Sequence, residues 1–123
     1  MNIEGKACLM KIYIGESDKI NGRPLYEEIV FEARKEGLAG ATVTKGIMSF
    51  GASHSIHTMK IFAISSDLPI LIEIVDKEEK IQGFAEIVDK LIDNSKKGGL
   101  VTTSMVEVRK YKRGEKYNTF SSF

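Results

Sequence analysis

The run Ile70–Val75 (I-L-I-E-I-V) constrains this chain more than any other stretch. It is the strongest strand signal present, rich in β-branched residues and bounded by Pro69 and Asp76. Alternation along a strand sends Ile70, Ile72 and Ile74 to one face, and Leu71 and Val75 to the other. A strand of a half-covered antiparallel sheet shows one polar face, and this one shows none. The run Cys8–Gly15 (C-L-M-K-I-Y-I-G) repeats the pattern, with Met10, Ile12 and Ile14 on one side and Leu9, Lys11 and Tyr13 on the other. Both faces of such a sheet need cover, and a homo-oligomer packed through its sheets supplies the second cover.

Two amphipathic segments supply the first. From Pro24 to Glu36, Leu25, Ile29 and Ala33 recur every four residues beside Tyr26 and Val30, and Gly37 follows as a stop. From Asp76 to Asn94, Ile81, Phe84, Ala85, Val88, Leu91 and Ile92 follow helical spacing. Asp76 and Glu79 match a capping box, and Lys96-Lys97-Gly98-Gly99 ends the segment. The remaining strand signals are Ala41–Ile47, Met59–Ile64, and two short runs, Leu100–Thr103 and Met105–Arg109. The order is β-α-β-loop-β-α-β. Split βαβ units of this order build an α+β, ferredoxin-like βαββαβ sandwich, with an antiparallel sheet and two helices on one face.

At 123 residues the expectation is a single domain over residues 1–123, with its core at about 8–111 and a flexible tail at 112–123. Net charge is +1, so nucleic acid is not an expected partner. The RNA-recognition module shares this strand order, but its central strands need aromatic residues to stack bases; the last strand pair here offers none at the right places, and Phe62 alone is not a platform. A single cysteine, Cys8, excludes an intrachain disulfide and suits a reducing, cytoplasmic setting. The first residues lack a basic segment followed by an apolar one, so no signal peptide is expected.

The polar chemistry gathers between Gly40 and Met59. Thr44-Lys45-Gly46, followed by Ser49, Phe50, Gly51 and Ser53, suits an anion cradle. Small residues let backbone N–H groups approach phosphate oxygens, and Lys45 adds a positive charge. A hairpin whose glycines only make turns accounts for the same residues. Lys97, Gly98 and Gly99, with Arg109 and Lys110 from the last strand, form a second candidate phosphate site. A glycine helix cap with lysines complementing the helix dipole explains that turn equally. The basic run Arg109–Lys116 reads as a solvated tail or as a contact for anionic headgroups or an acidic partner. His54 and His57 would share a face in a helical turn and are the candidate metal ligands, but two histidines are too few for a closed site. Asp67, a neighbouring subunit or an effector would have to complete it. No catalytic residues are expected, since no nucleophile stands beside a matched base.

Several blocks carry a family resemblance: G-R-P-L-Y (Gly22–Tyr26), G-L-A-G-A-T-V-T-K-G-I (Gly37–Ile47), F-G-A-S-H-S-I-H-T (Phe50–Thr58), D-L-P-I-L-I-E-I-V-D (Asp67–Asp76), and G-L-V-T (Gly99–Thr102) with V-E-V (Val106–Val108). They resemble the domain of unknown function 190 family, which is similar to the PII nitrogen-regulatory signalling proteins. The resemblance implies a homotrimer that binds a small anionic effector, such as an adenine nucleotide, in clefts between subunits. The base of a long T-loop lines one side of each cleft, and a glycine-rich turn and cations of the last strand line the other. The T-loop then acts on a partner, a membrane transporter or an enzyme. His57 lies within one family-like block. The absence of tyrosine between Gly51 and Met59 removes the loop tyrosine that PII proteins modify, and Lys96–Leu100 lacks their acidic residue. The alternative function is a metal-ion-responsive trimer, resembling the cation-tolerance proteins of the same fold, that uses His54 and His57.

Overall fold

The computed structural model describes residues 2–50, 56–58 and 68–115. The long first strand, β1 (Gly5–Gly15), turns through a minimal hairpin of β2 (Lys19–Ile20) and β3 (Arg23–Pro24) into α1 (Leu25–Lys35). β4 (Thr42–Lys45) leads to a ribbon of β5 (Met48–Phe50) and β6 (Ile56–Thr58). β7 (Pro69–Asp76), α2 (Glu78–Ser95) and β8 (Leu100–Val108) complete the order. The main sheet runs β4-β7-β1-β8, with every neighbouring pair antiparallel. The expected strand Met59–Ile64 lies outside the described residues.

One face of the sheet carries the core. Met10, Ile12 and Ile14 of β1 and Ile70, Ile72 and Ile74 of β7 pack against Leu25, Ile29 and Ala33 of α1 and Ile81, Phe84 and Val88 of α2. All are buried, as the spacing predicts. The register Cys8↔Asp76 to Gly15↔Pro69 aligns the buried side chains of the two central strands opposite one another.

Three local expectations need correction. The last strand is one continuous run, not two, because β1 is long enough to pair with all of it, from Gly5↔Val108 to Tyr13↔Leu100. Ser104 stays in the ladder opposite Leu9, on the face away from the helices, where its hydroxyl is exposed in the single chain. Asp76 does not cap α2. Lys77 is the cap residue, and its carbonyl accepts from Ile81 N–H at 3.0 Å without any side-chain cap bond. Asp76, fully buried at the end of β7, instead accepts from Lys77 N–H (2.7 Å) and from Ala39 N–H (2.8 Å).

The third correction concerns the helix ends. Gly37 (φ 77) does terminate α1: its N–H donates to Arg34 O at 3.1 Å and Leu38 N–H to Ala33 O at 3.1 Å, a Schellman arrangement. At α2 the left-handed position is taken by Lys96 (φ 65), not by Gly98 or Gly99. A side chain there is crowded against its own backbone. Lys96→Gly is therefore expected to stabilise the fold by about 0.5–1 kcal/mol, read as a higher urea midpoint at unchanged slope.

Beyond β8 the chain folds back across the end of the sheet. Tyr111 N–H donates to Glu4 Oε2 at 2.9 Å, and its hydroxyl donates to Ala39 O at 3.3 Å. With Lys80 Nζ donating to Gly37 O at 2.7 Å, the α1–β4 connection is tied to three separate elements. No helix among the described residues is long and apolar enough to cross a membrane.

Candidate functional site

The polar residues singled out from the sequence begin at the end of the edge strand β4. Strand alternation separates the first two. Thr42 and Thr44 pair with Glu73 and Leu71 and share the face that no described helix covers, whereas Lys45 pairs with Ile70 on the helix side. One protomer therefore cannot present the Thr44 and Lys45 side chains from the same face. Gly46 N–H donates to Pro69 O at 2.7 Å, so this donor is already engaged within the chain. A Cβ on Gly46 would stand 2.8 Å from Pro69 Cγ, which makes glycine the residue that fits. Close approach to β7, not a left-handed turn, explains it.

Lys45 has a partner that the sequence does not announce. Its Nζ lies 2.9 Å from Glu16 Oε2, with the lysine side chain half exposed and the glutamate largely covered. Glu16 is fixed by the turn after β1. Asp18 Oδ2 accepts from Gly15 N–H at 2.9 Å, and Asp18 O accepts from Leu25 N–H at 2.8 Å. Glu16 N–H donates to Leu68 O at 2.8 Å. Among the described residues no donor reaches Glu16 Oε1, which is buried.

Past Gly46 the chain enters the antiparallel ribbon, with Met48 opposite Thr58, Ser49 opposite His57 and Phe50 opposite Ile56. Ile47 and Met48 are exposed. The root of the polar stretch is thus a two-stranded ribbon that continues from the edge strand. His57 stands on a strand, so the helical-turn geometry for a His54–His57 pair is not the one His57 adopts. Gly51, Ser53 and His54, like Asp67, lie outside the described residues. Among the described residues no group of three His, Cys, Asp or Glu side chains is placed to hold a metal ion.

The second candidate cluster lies at the same end of the sheet but on its opposite edge. Lys97, Gly98 and Gly99 precede Leu100, which pairs with Tyr13, while Lys45 pairs with Ile70, next to the Gly15↔Pro69 pair. With β7 and β1 between them, the two edges are separated by about 14 Å. Lys97 and Gly98 are exposed. Gly99 is exposed as well, and a Cβ there would touch Ile14 and Ile92 at 3.4 Å, an ordinary contact distance. Arg109 is exposed and follows the far end of β8, about 30 Å from Gly99 along the strand. A single chain therefore brings neither Lys45 nor Arg109 to the Lys97–Gly99 turn.

Two other features lie apart from these clusters. A cavity of about 270 Å³ opens between α1 and the α1–β4 connection, lined by Val30, Ala33, Arg34, Leu38 and Gly40 among others. It adjoins the start of β4, the end opposite Lys45. Cys8 is buried in the core, and this desolvation, with the nearby Glu78 charge, pushes its thiol above the ordinary range. A buried neutral thiol of this kind is unreactive.

A four-stranded antiparallel sheet with two helices packed on one face defines the ferredoxin-like class, and the ribbon extending from its edge strand gives it the PII-like form. The chain belongs to the domain of unknown function 190 family (uncharacterised ACR), whose model matches residues 7–108. A UPF0166 protein of Aquifex aeolicus is 37% identical over 103 residues, covering 84% of this chain and 93% of that protein. The UPF0166 protein MJ1524 of Methanocaldococcus jannaschii is 38% identical over 112 residues, covering 91% and 97%. Among solved structures, CPII, a nitrogen regulatory PII-like protein from Thiomonas intermedia bound to ADP, AMP and bicarbonate, superposes with a TM-score of 0.66 at 17% identity, covering 85% of this chain and 90% of that one. TTHA0516 from Thermus thermophilus, described as a PII-like signaling protein, gives 0.61 at 21% identity over 95% and 99%. The expected fold and family are both met.

Proposed function

We propose that this chain is a cytoplasmic PII-like regulatory protein, not an enzyme, that works as a homotrimer. A small anionic effector, an adenine nucleotide, binds in the clefts between copies. The ribbon and the stretch beyond it serve as a T-loop that passes the binding state to a partner, a membrane transporter or an enzyme.

The observation that carries this reading is the split placement of the cationic and glycine-rich residues. Lys45 and Gly46 stand at one edge of the sheet, Lys97–Gly99 at the other edge, and Arg109 at the far end of the edge strand. Lys45 of one copy can approach the Lys97–Gly99 turn, or Arg109, of another only when the edges of the two copies meet, and an anion is the ligand that such a pairing of cations suits. CPII, of the same fold, is bound to nucleotides, which favours an adenine nucleotide over other anions.

Titration calorimetry with ATP, ADP, AMP and cyclic dinucleotides tests the reading. At least one is expected to bind, and Lys45→Met is expected to weaken it by about tenfold or more through loss of a charge-assisted contact. Absence of heat from every nucleotide at millimolar concentration rejects the nucleotide assignment.

A further inference from the structure

Glu16 touches the chain on both sides of the ribbon, at the end of β4 and at the start of β7. Its backbone N–H donates to Leu68 O at 2.8 Å, where the returning chain enters β7. Its side chain pairs with Lys45 at 2.9 Å, where the outgoing chain leaves β4. The turn built on Asp18 fixes Glu16 itself.

The pair is unevenly placed. Lys45 is 50% exposed and open to solutes, whereas Glu16 is 23% exposed. Glu16 Oε1 has no donor among the described residues, so Lys45 is the cation that the carboxylate relies on. An anion that engages Lys45 brings negative charge next to this carboxylate and withdraws its counter-ion. A covered carboxylate left without a partner is costly, and rotation into water relieves the cost. That movement removes the side-chain tie at Lys45 and leaves the outgoing chain held at its root by the Gly46 N–H to Pro69 O bond alone, with the Leu68 tie unchanged.

We propose that Glu16 is a clamp on the ribbon root, opened when an anionic group takes Lys45 from it. This deepens the reading of Lys45 as an effector contact and rests on it. Ligand occupancy thereby becomes a change in the ribbon, through competition between the carboxylate and the effector for one ammonium group. A half-exposed ion pair is weak enough for a bound phosphate to displace.

The test uses the full chain as wild type, Glu16→Gln and Glu32→Gln. Glu32 pairs only loosely with Lys35 within α1, at 4.0 Å, and serves as the control. In ligand-free Glu16→Gln, amide hydrogen exchange at residues 46–50 is expected to speed up about fivefold, with α2 and the centre of β7 unchanged. The same variant is expected to bind ATP about fivefold more tightly by calorimetry, because the internal competitor is gone. Glu32→Gln matches wild type in both. If ATP binds but either readout in Glu16→Gln stays at the wild-type value, the clamp is overturned while the anion site stands. If wild type binds neither ATP nor pyrophosphate, both are overturned.

Discussion

Asp76→Ala is expected to lower the free energy of unfolding by about 3 kcal/mol, the largest loss from any single polar side chain described above. Asp76 is fully buried, opposite Cys8 at the end of β7. One carboxylate oxygen accepts from Lys77 N–H at 2.7 Å and fixes the entry to α2. The other accepts at 2.8 Å from Ala39 N–H, 37 residues away, and fixes the α1–β4 connection. Truncation leaves two part-buried N–H groups without their acceptor, each costing about 1 kcal/mol, and opens a small void at a fully buried position. Asp76→Asn keeps the volume but presents an NH₂ group to one of the two donors, so about half the loss is expected. Urea unfolding at neutral pH supplies the measurement, and an Asp76→Ala midpoint within error of wild type would refute the assignment. The same variant should speed amide exchange at Ala39 well beyond that of Ile29 in α1, since Ala39 loses its acceptor directly.

Asp76 also shows where a local reading of the sequence stops. Aspartate three residues before glutamate, ahead of a helical pattern, carries the signature of a capping box, and nothing nearby contradicts it. The donor that claims the carboxylate comes from another connection, and only the packed fold brings it there. Lys96 misleads in a similar way. Two glycines follow α2, yet the left-handed residue comes before both. The hydrophobic spacing was legible because the core reads it directly: Leu25, Ile29 and Ala33, then Ile81, Phe84 and Val88, fall on buried faces. Lys45 and Gly46 stand out by residue type. Glu16 does not, since an acid in a polar turn looks like a solvated charge until Lys45 is placed 2.9 Å away. The separation of Lys45, Gly99 and Arg109 was equally hidden, because it follows from strand order and not from composition.

Leu71→Glu is expected to dissociate the assembly while leaving the fold of each copy intact. The face of the sheet opposite the helices reads in rows across the strands. Leu71, Tyr13 and Leu100 form one apolar row ended by Thr44, Val75 and Leu9 another ended by Ser104, and Thr42, Glu73, Lys11 and Thr102 a polar row between them. Tyr13 is 38% exposed and Leu100 56% exposed, and neither described helix packs on this side. Apolar rows flanking a polar one give a second copy both a driving force and a register. Burying a leucine contributes about 1.5–3 kcal/mol, and a glutamate in its place adds an uncompensated charge, so each interface should weaken by about 100-fold or more. Leu71 is already partly solvated in the single chain, so thermal stability of the dissociated copy should change little. Sedimentation velocity is expected to show wild type as an oligomer and Leu71→Glu as a monomer with an unchanged far-ultraviolet dichroism spectrum. Lys90→Glu, exposed on α2, should stay assembled. A wild-type chain that sediments as a monomer at micromolar concentration would remove the partner that this face calls for. It would also leave Lys45 and the Lys97–Gly99 turn on edges that never meet.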